Sequence, residues 1–124
     1  MPRFTFNKEE KLKSRKLISQ LFQEGKNISF PPLRLKYLEK PISINPAAVA
    51  VVVPKRVIKK AVDRNLLKRR MRESYRLFKP EFYELLNKSG RQVNLMVIYQ
   101  SGKIEDYKTI DAQLKKALRK LALK

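Results

Sequence analysis

Apolar residues early in the chain recur at helical spacing. They are Leu17, Ile18, Leu21 and Phe22. Ser14 stands just before them and is a good N-cap, so we predict a first helix over residues 15–24. Gly25 follows, and we expect it to end this helix in the left-handed conformation.

Three later segments have strand patterns. Residues 33–37 alternate apolar and basic side chains, which predicts one buried and one cationic face. Residues 47–53 and 93–99 are almost continuously apolar, as is typical of strands covered on both faces.

A long helix is predicted over residues 57–78, which contain no Gly or Pro and have a strong helical period. Pro80 marks its predicted end. A terminal helix follows from further apolar positions at helical spacing, namely Tyr107, Ile110, Leu114, Leu118 and Leu121. The fold class is therefore predicted to be α+β, with the order αβββαβα, in which one of the first three strands has no residues assigned to it. The lysines and arginine of the terminal helix are most simply interpreted as its solvent-exposed face.

Length and charge make a nucleic acid the leading partner. The 124 residues predict a single domain over 1–124, with an extended arm over 1–13 that docks the rings of Phe4 and Phe6. Thirty Lys and Arg against eleven Asp and Glu give a net charge of +19, a self-repulsion that a polyanion would relieve. No apolar run is long enough to span a membrane, so no membrane partner is expected.

Cysteine and histidine are both absent. Their absence excludes thiol and Ser-His nucleophiles, histidine acid-base chemistry and the usual zinc sites. We therefore expect no catalytic side chain and no metal-binding residue in this protein.

The positive charge is concentrated on the predicted long helix. At about 100° per residue, one arc of roughly 140° carries basic or hydrogen-bonding side chains. They are Arg64, Asn65, Lys68, Arg69, Arg72 and Arg76. Solvated faces usually mix signs, so this pattern favours binding over a solubilising surface, without separating RNA from DNA. For Asn65, a local hydrogen bond and a directed bond to a nucleotide stay equally open.

Residues 51–76 read VVVPKRVIKKAVDRNLLKRRMRESYR. This stretch closely resembles the signature of the bacterial ribonuclease P protein family, and the other segments follow in the family's order. The resemblance implies a two-layer α/β sandwich with a left-handed βαβ crossover around the arginine-rich helix. It further implies that the catalyst is a separate RNA, which binds most of the required Mg²⁺ and removes the 5′ leader of precursor tRNA, while the protein alone binds no cofactor.

The resemblance and the helical face together assign two sets of residues. The RNA-binding set is Arg64, Asn65, Lys68, Arg69, Arg72, Arg76, Lys55 and Arg56. The set lining a cleft for the leader is Ile18, Phe22 and Lys36. Arg64 and Asn65 match the start of the family's Arg-Asn-Arg motif, whose third position is here Leu66. The implied partners are the catalytic RNA and the leader, in the cytoplasm, with no obligate protein partner.

Three functions compete at this point. They are a protein cofactor of a ribozyme, a structural RNA-binding protein such as a ribosomal protein, and a protein-only nuclease. The third would need clustered acids, which Asp63, Glu73, Asp106 and Asp111 do not form in the sequence. The adjacent Arg64 and Asn65 favour the first, because generic charge neutralisation needs no asparagine there. On the residues alone, Ile18, Phe22, Lys36 and Tyr37 are more often core than the wall of a groove for unstacked bases.

Overall fold

The elements follow the predicted order. The computed structural model of the chain describes residues 12 and 14–123. Its elements are α1 (Arg15–Glu24), β1 (Lys26–Phe30), β2 (Leu33–Glu39), β3 (Ala47–Val52), α2 (Ala61–Ser89), β4 (Val93–Tyr99) and α3 (Tyr107–Leu123). The α+β class and the order αβββαβα are confirmed. Apart from Leu12, the predicted arm with Phe4 and Phe6 lies outside the described residues.

The four described strands form one mixed sheet in the order β1-β2-β4-β3. β2 is antiparallel to both β1 and β4, whereas β3 is parallel to β4. Because these parallel neighbours are joined through α2, the three elements form a βαβ unit. The left hand expected for this crossover stays a prediction of the resemblance.

Helices cover the two faces of the sheet unequally. On one face, α2 and α3 enclose the main core, to which the sheet contributes Leu35, Val49, Leu95 and Val97. On the opposite face, α1 places Leu21 against Met96 and Ile98. This second face, called here the α1 face, is only partly covered. Arg34 and Lys36 remain partly exposed on it, whereas Tyr37 is buried in the main core, so the predicted division of β2 into two faces is confirmed.

The end of α1 differs from the prediction in its conformation. Gly25 is extended, with φ −64° and ψ 142°, so the expected left-handed conformation was wrong. A Cβ atom at Gly25 would lie 2.4 Å from the carbonyl oxygen of Leu21, because the Gly25 N–H donates to that oxygen at 2.9 Å. Close approach of the backbone therefore requires glycine here. At the other end, the Ser14 hydroxyl accepts from the Leu17 N–H as predicted.

The start of α2 lies later than predicted. The N–H groups of Val57 and Ile58 both donate to the carbonyl of Pro54, which forms a turn after β3 in place of a first helical turn. The helix begins only at Ala61, so residues 57–60 were wrongly assigned to it.

The C-terminal end of α2 also differs from the prediction. Pro80 lies inside the helix, so the end predicted there was wrong. Beyond it, Phe82 and Leu86 are fully buried, and burial of each contributes about 1.5–3 kcal/mol. Together they offset the roughly 3 kcal/mol that an interior proline costs. Gly90, with φ 68°, supplies the left-handed residue that ends the helix.

A capping carboxylate starts α3. Asp106 Oδ1 accepts from the Thr109 N–H at 2.8 Å, and this bond lowers the pKa of Asp106 below its ordinary value of 3.8. A folded-state pKa below the unfolded one means that the stabilisation is present above the ordinary pKa and is lost as pH falls through the folded-state value. We expect Asp106→Ala to lower the melting temperature at neutral pH, with a difference from wild type that shrinks below pH 3.8.

Thermal melting followed by circular dichroism across this pH range measures the effect. Asp106→Asn is the control, because its amide oxygen can still accept the Thr109 N–H but does not titrate. A difference between wild type and Asp106→Ala that is independent of pH would contradict the role of the charge.

Candidate nucleic-acid interface

The first half of α2 separates a packed side from a charged side. Leu67 and Met71 are fully buried against the main core. The predicted RNA-binding residues of the helix all keep exposed surface. Asn65, Arg69 and Arg72 are exposed, and Arg64, Lys68 and Arg76 are partly exposed. The structure thus brings the six predicted residues onto the solvent side of one helix.

Arg64 is tied to the loop before α2. Its Nη1 donates to the carbonyl oxygens of Ile58 at 3.0 Å and Lys59 at 2.6 Å. These bonds fix the loop that carries the neighbouring lysines, while the other N–H groups of the guanidinium keep the capacity to bind an anion. The structure therefore gives Arg64 a structural task that its sequence position did not indicate.

Two further arginines of α2 are engaged by the protein itself. Arg70 Nη1 donates to the carbonyl of Glu105 at 2.6 Å and so joins α2 to the segment before α3. Arg76 forms an ion pair with Glu73. The other residues of the predicted face, apart from Arg64, lack such partners. The side chains of Asn65, Lys68, Arg69 and Arg72 have no hydrogen bond or ion pair to any residue that the structure describes. We call Lys68, Arg69 and Arg72 the cationic triad.

Lys55 and Arg56 lie in the exposed turn between β3 and α2. This turn follows the carboxyl end of β3, and α2 begins at Ala61 a few residues later. The basic pair therefore lies at the end of the sheet where α2 starts.

Ile18, Phe22 and Lys36 come together on the α1 face. Lys36 Nζ donates to the carbonyl oxygen of Phe22 at 3.3 Å. Ile18 lies one turn earlier in α1 and packs at the edge of the apolar cluster that contains Met96. The Phe22 side chain is 50% exposed, so its ring is available to a ligand. The three predicted cleft residues thus line one open part of the sheet, which we call the cleft.

Arg34 shares this cleft, and sequence reasoning did not single it out as a site residue. It lies two positions before Lys36 on β2, and alternate residues of a strand point to the same face. The alternation of apolar and basic residues over 33–37 was the available signal, since it placed both basic side chains on one face.

A known family matches the chain over residues 6–122, and its model is described as Ribonuclease P. The chain belongs to the ribonuclease P protein family. The Ribonuclease P protein component of Porphyromonas gingivalis is 31% identical over 122 residues, which cover 98% of this chain and 89% of that protein. That of Dictyoglomus thermophilum is 32% identical over 87% of this chain and 80% of the relative. The resemblance stated from the sequence is confirmed.

Solved ribonuclease P proteins have the same fold. The protein from Staphylococcus aureus aligns with a TM-score of 0.70 and 20% identity, covering 92% of this chain and 96% of its own. The protein from Thermotoga maritima aligns with a TM-score of 0.71 and 22% identity, covering 90% and 96%. At these identities the likeness supports the fold alone.

Asp111 and Glu73, two of the four candidate acids, bond to protein groups among the described residues. Asp111 accepts from the Ser74 hydroxyl at 2.7 Å and pairs with Lys115 at 2.9 Å. Burial, and then the nearby charges of Asp111 and Glu73, raise the pKa of Tyr107 above its ordinary value of 10.0. Tertiary structure thus brings two of the four candidate acids near one tyrosine. Within residues 12 and 14–123, however, no three acidic side chains gather to hold a metal ion, so these residues do not fit a protein-held magnesium site.

Two further observations concern Leu66 and the apolar character of the described helices. Leu66, at the position where the family motif led us to expect arginine, is partly exposed on α2. In the part of the chain that the structure describes, no helix combines the length and apolar character that a membrane crossing needs.

Proposed function

We propose that this chain is the protein subunit of a ribonuclease P holoenzyme, which binds the catalytic RNA and the 5′ leader of precursor tRNA and assists magnesium-dependent removal of that leader. One observation carries the proposal. A chain of this family presents both the cationic triad, without protein partners among the described residues, and a half-open cleft on the α1 face of the sheet. The shared name of the relatives, Ribonuclease P protein component, supports a ribonuclease subunit that acts in tRNA processing.

The cationic triad is suited to the catalytic RNA. Lys68, Arg69 and Arg72 repel one another along one side of α2, and phosphates laid across them relieve that repulsion. Guanidinium groups match phosphate oxygens with paired N–H donors, which makes arginine the stronger choice at such a site. Lys55 and Arg56 extend the same charge around the start of the helix.

The cleft is suited to a single strand. Phe22 offers a half-exposed ring on which an unstacked base can lie, and Lys36 beside it supplies a positive charge for the backbone. Ile18, one turn earlier in α1, contributes apolar surface. We therefore assign the cleft to the leader and the cationic triad to the catalytic RNA.

Magnesium is assigned to the RNA subunit, because no three acidic side chains gather into a metal site among the described residues. The hydrolysed bond is the phosphodiester that joins the leader to the mature 5′ end of the tRNA. The protein contributes no catalytic residue; it favours the substrate-bound state by neutralising phosphates. The cytoplasm is the proposed location, since precursor tRNA is the proposed substrate.

The test is cleavage of a 5′-labelled precursor tRNA at low magnesium with a bacterial ribonuclease P RNA. We expect the wild-type protein to restore correct 5′ maturation with the RNA, whereas RNA alone and protein alone are inactive. The double variant Arg64→Ala, Asn65→Ala should lose most of this help.

Each other outcome selects a different function. Binding of RNA without any promotion of cleavage would favour the structural RNA-binding protein and overturn the proposal. Cleavage by the protein alone would show that its side chains are catalytic, which contradicts the assignment of catalysis to the RNA.

A further inference from the structure

Arg34 differs from the other partly buried arginines of the described residues. The others each have a protein partner. Arg64 and Arg70 donate to backbone carbonyls, and Arg76 and Arg91 pair with carboxylates. The Arg34 side chain has no hydrogen bond or ion pair to any described residue, and its Nε atom is buried. A guanidinium that is partly removed from water and has no acceptor is in an unfavourable state, which an anion would relieve.

The sheet register places Arg34 at the open end of the cleft. On the α1 face, it lies between Ser29 of β1 and Ile98 of β4, and Ile98 in turn pairs with Val52 at the end of β3. These four paired residues form one row across the sheet. Ser29 is exposed and Val52 partly exposed, so α1 does not cover this row. The row is also the last one before the turn that carries Lys55 and Arg56. Arg34 therefore connects the cleft with the basic end of the sheet.

We propose that Arg34 binds a backbone phosphate of the 5′ leader where the single strand passes along the cleft. The proposal rests on the proposed function and adds a residue and a mode of recognition to it. With two cations, Arg34 and Lys36, and the half-exposed ring of Phe22, the cleft holds the leader by the charge of its backbone more than by the identity of its bases. The leader must be long enough to reach this row before Arg34 contributes.

The experiment measures the affinity of the assembled holoenzyme for precursor tRNA with a short leader and with a long leader, with calcium in place of magnesium to suppress cleavage. The variant is Arg34→Gln. The control is Arg119→Gln, which removes the same charge from α3, on the other side of the sheet, where the guanidinium forms an exposed ion pair with Glu81.

For Arg34→Gln we expect about tenfold weaker binding of the long-leader substrate and no more than about a twofold change for the short-leader substrate. The slope of log affinity against log salt should fall by about 0.7 for the long leader alone, because one phosphate contact with a single strand is lost. Arg34→Lys should recover part of the affinity, since it keeps the charge but not the paired donors. Arg119→Gln should leave the affinity for both substrates unchanged.

Two results would overturn the assignment while leaving the proposed function intact, provided that wild type still promotes cleavage. One is an equal loss, or no loss, for both leader lengths. The other is a loss of affinity for the catalytic RNA itself, which would place the phosphate in that RNA. Melting curves of Arg34→Gln and Arg34→Lys identify any variant that fails to fold. The affinities of the more stable of the two variants then decide whether Arg34 contacts the leader.

Discussion

Replacing the cationic triad by glutamine, as Lys68→Gln, Arg69→Gln and Arg72→Gln together, should weaken binding of the catalytic RNA by at least about a hundredfold. The three side chains have no partner among the described residues, so their removal takes no ion pair from the protein. The only interaction that this variant is expected to lose is the contact with RNA phosphates. Titration of the protein with labelled RNA measures the change.

The salt dependence provides a second readout of the same variant. If each cation neutralises one phosphate, the slope of log affinity against log salt should fall by about 2 to 3. The matched control is the triple variant Lys116→Gln, Arg119→Gln and Lys120→Gln on α3, which removes the same charge from exposed positions. We expect its affinity to stay within about threefold of wild type. Equal losses in both variants would show that net charge alone determines binding.

Phe82→Ala should lower the free energy of unfolding by about 3–5 kcal/mol. Phe82 is fully buried two residues after Pro80, and its ring lies edge-on to that of Tyr75 at a centroid distance of 6.0 Å. Truncation removes this contact and leaves a cavity in the main core. Urea unfolding measures the loss.

Phe22→Ala is the matched control for Phe82→Ala. It is the same chemical change at a side chain that is 50% exposed, so its expected effect on unfolding is below about 1 kcal/mol. A small effect of Phe82→Ala would contradict the continuation of α2 through Pro80 into the core.

The two halves of α2 therefore have different tasks. The first half carries the cationic triad on its solvent side. The second half, after Pro80, packs Phe82 and Leu86 into the main core and holds the helix against the sheet and α3. Loss of the second half would affect RNA binding indirectly, through stability, whereas loss of the triad would affect it directly. The two variants above separate these effects.

Local pattern determined most of the fold from the sequence alone. The periods of α1, α3 and the apolar strands place these elements within a residue or two of their observed bounds, because each element buries a continuous stripe or face. The segment over 51–76 determined the family. The same helical period separated the basic side of α2 from Leu67 and Met71, so the main candidate surface was also available from the sequence.

Tertiary structure decided the features that depend on distant partners. β1 had a place in the predicted order but no assigned residues, because the polar KNISF segment is a strand only through pairing with β2. Pro80 is a local stop signal, and burial of residues after it outweighs that signal. The difference between Arg34, which lacks a partner among the described residues, and Arg64 or Arg70, which donate to backbone carbonyls, is invisible in sequence. All of them are basic residues in basic surroundings, and only the folded chain determines which carbonyl, carboxylate or open cleft each one meets.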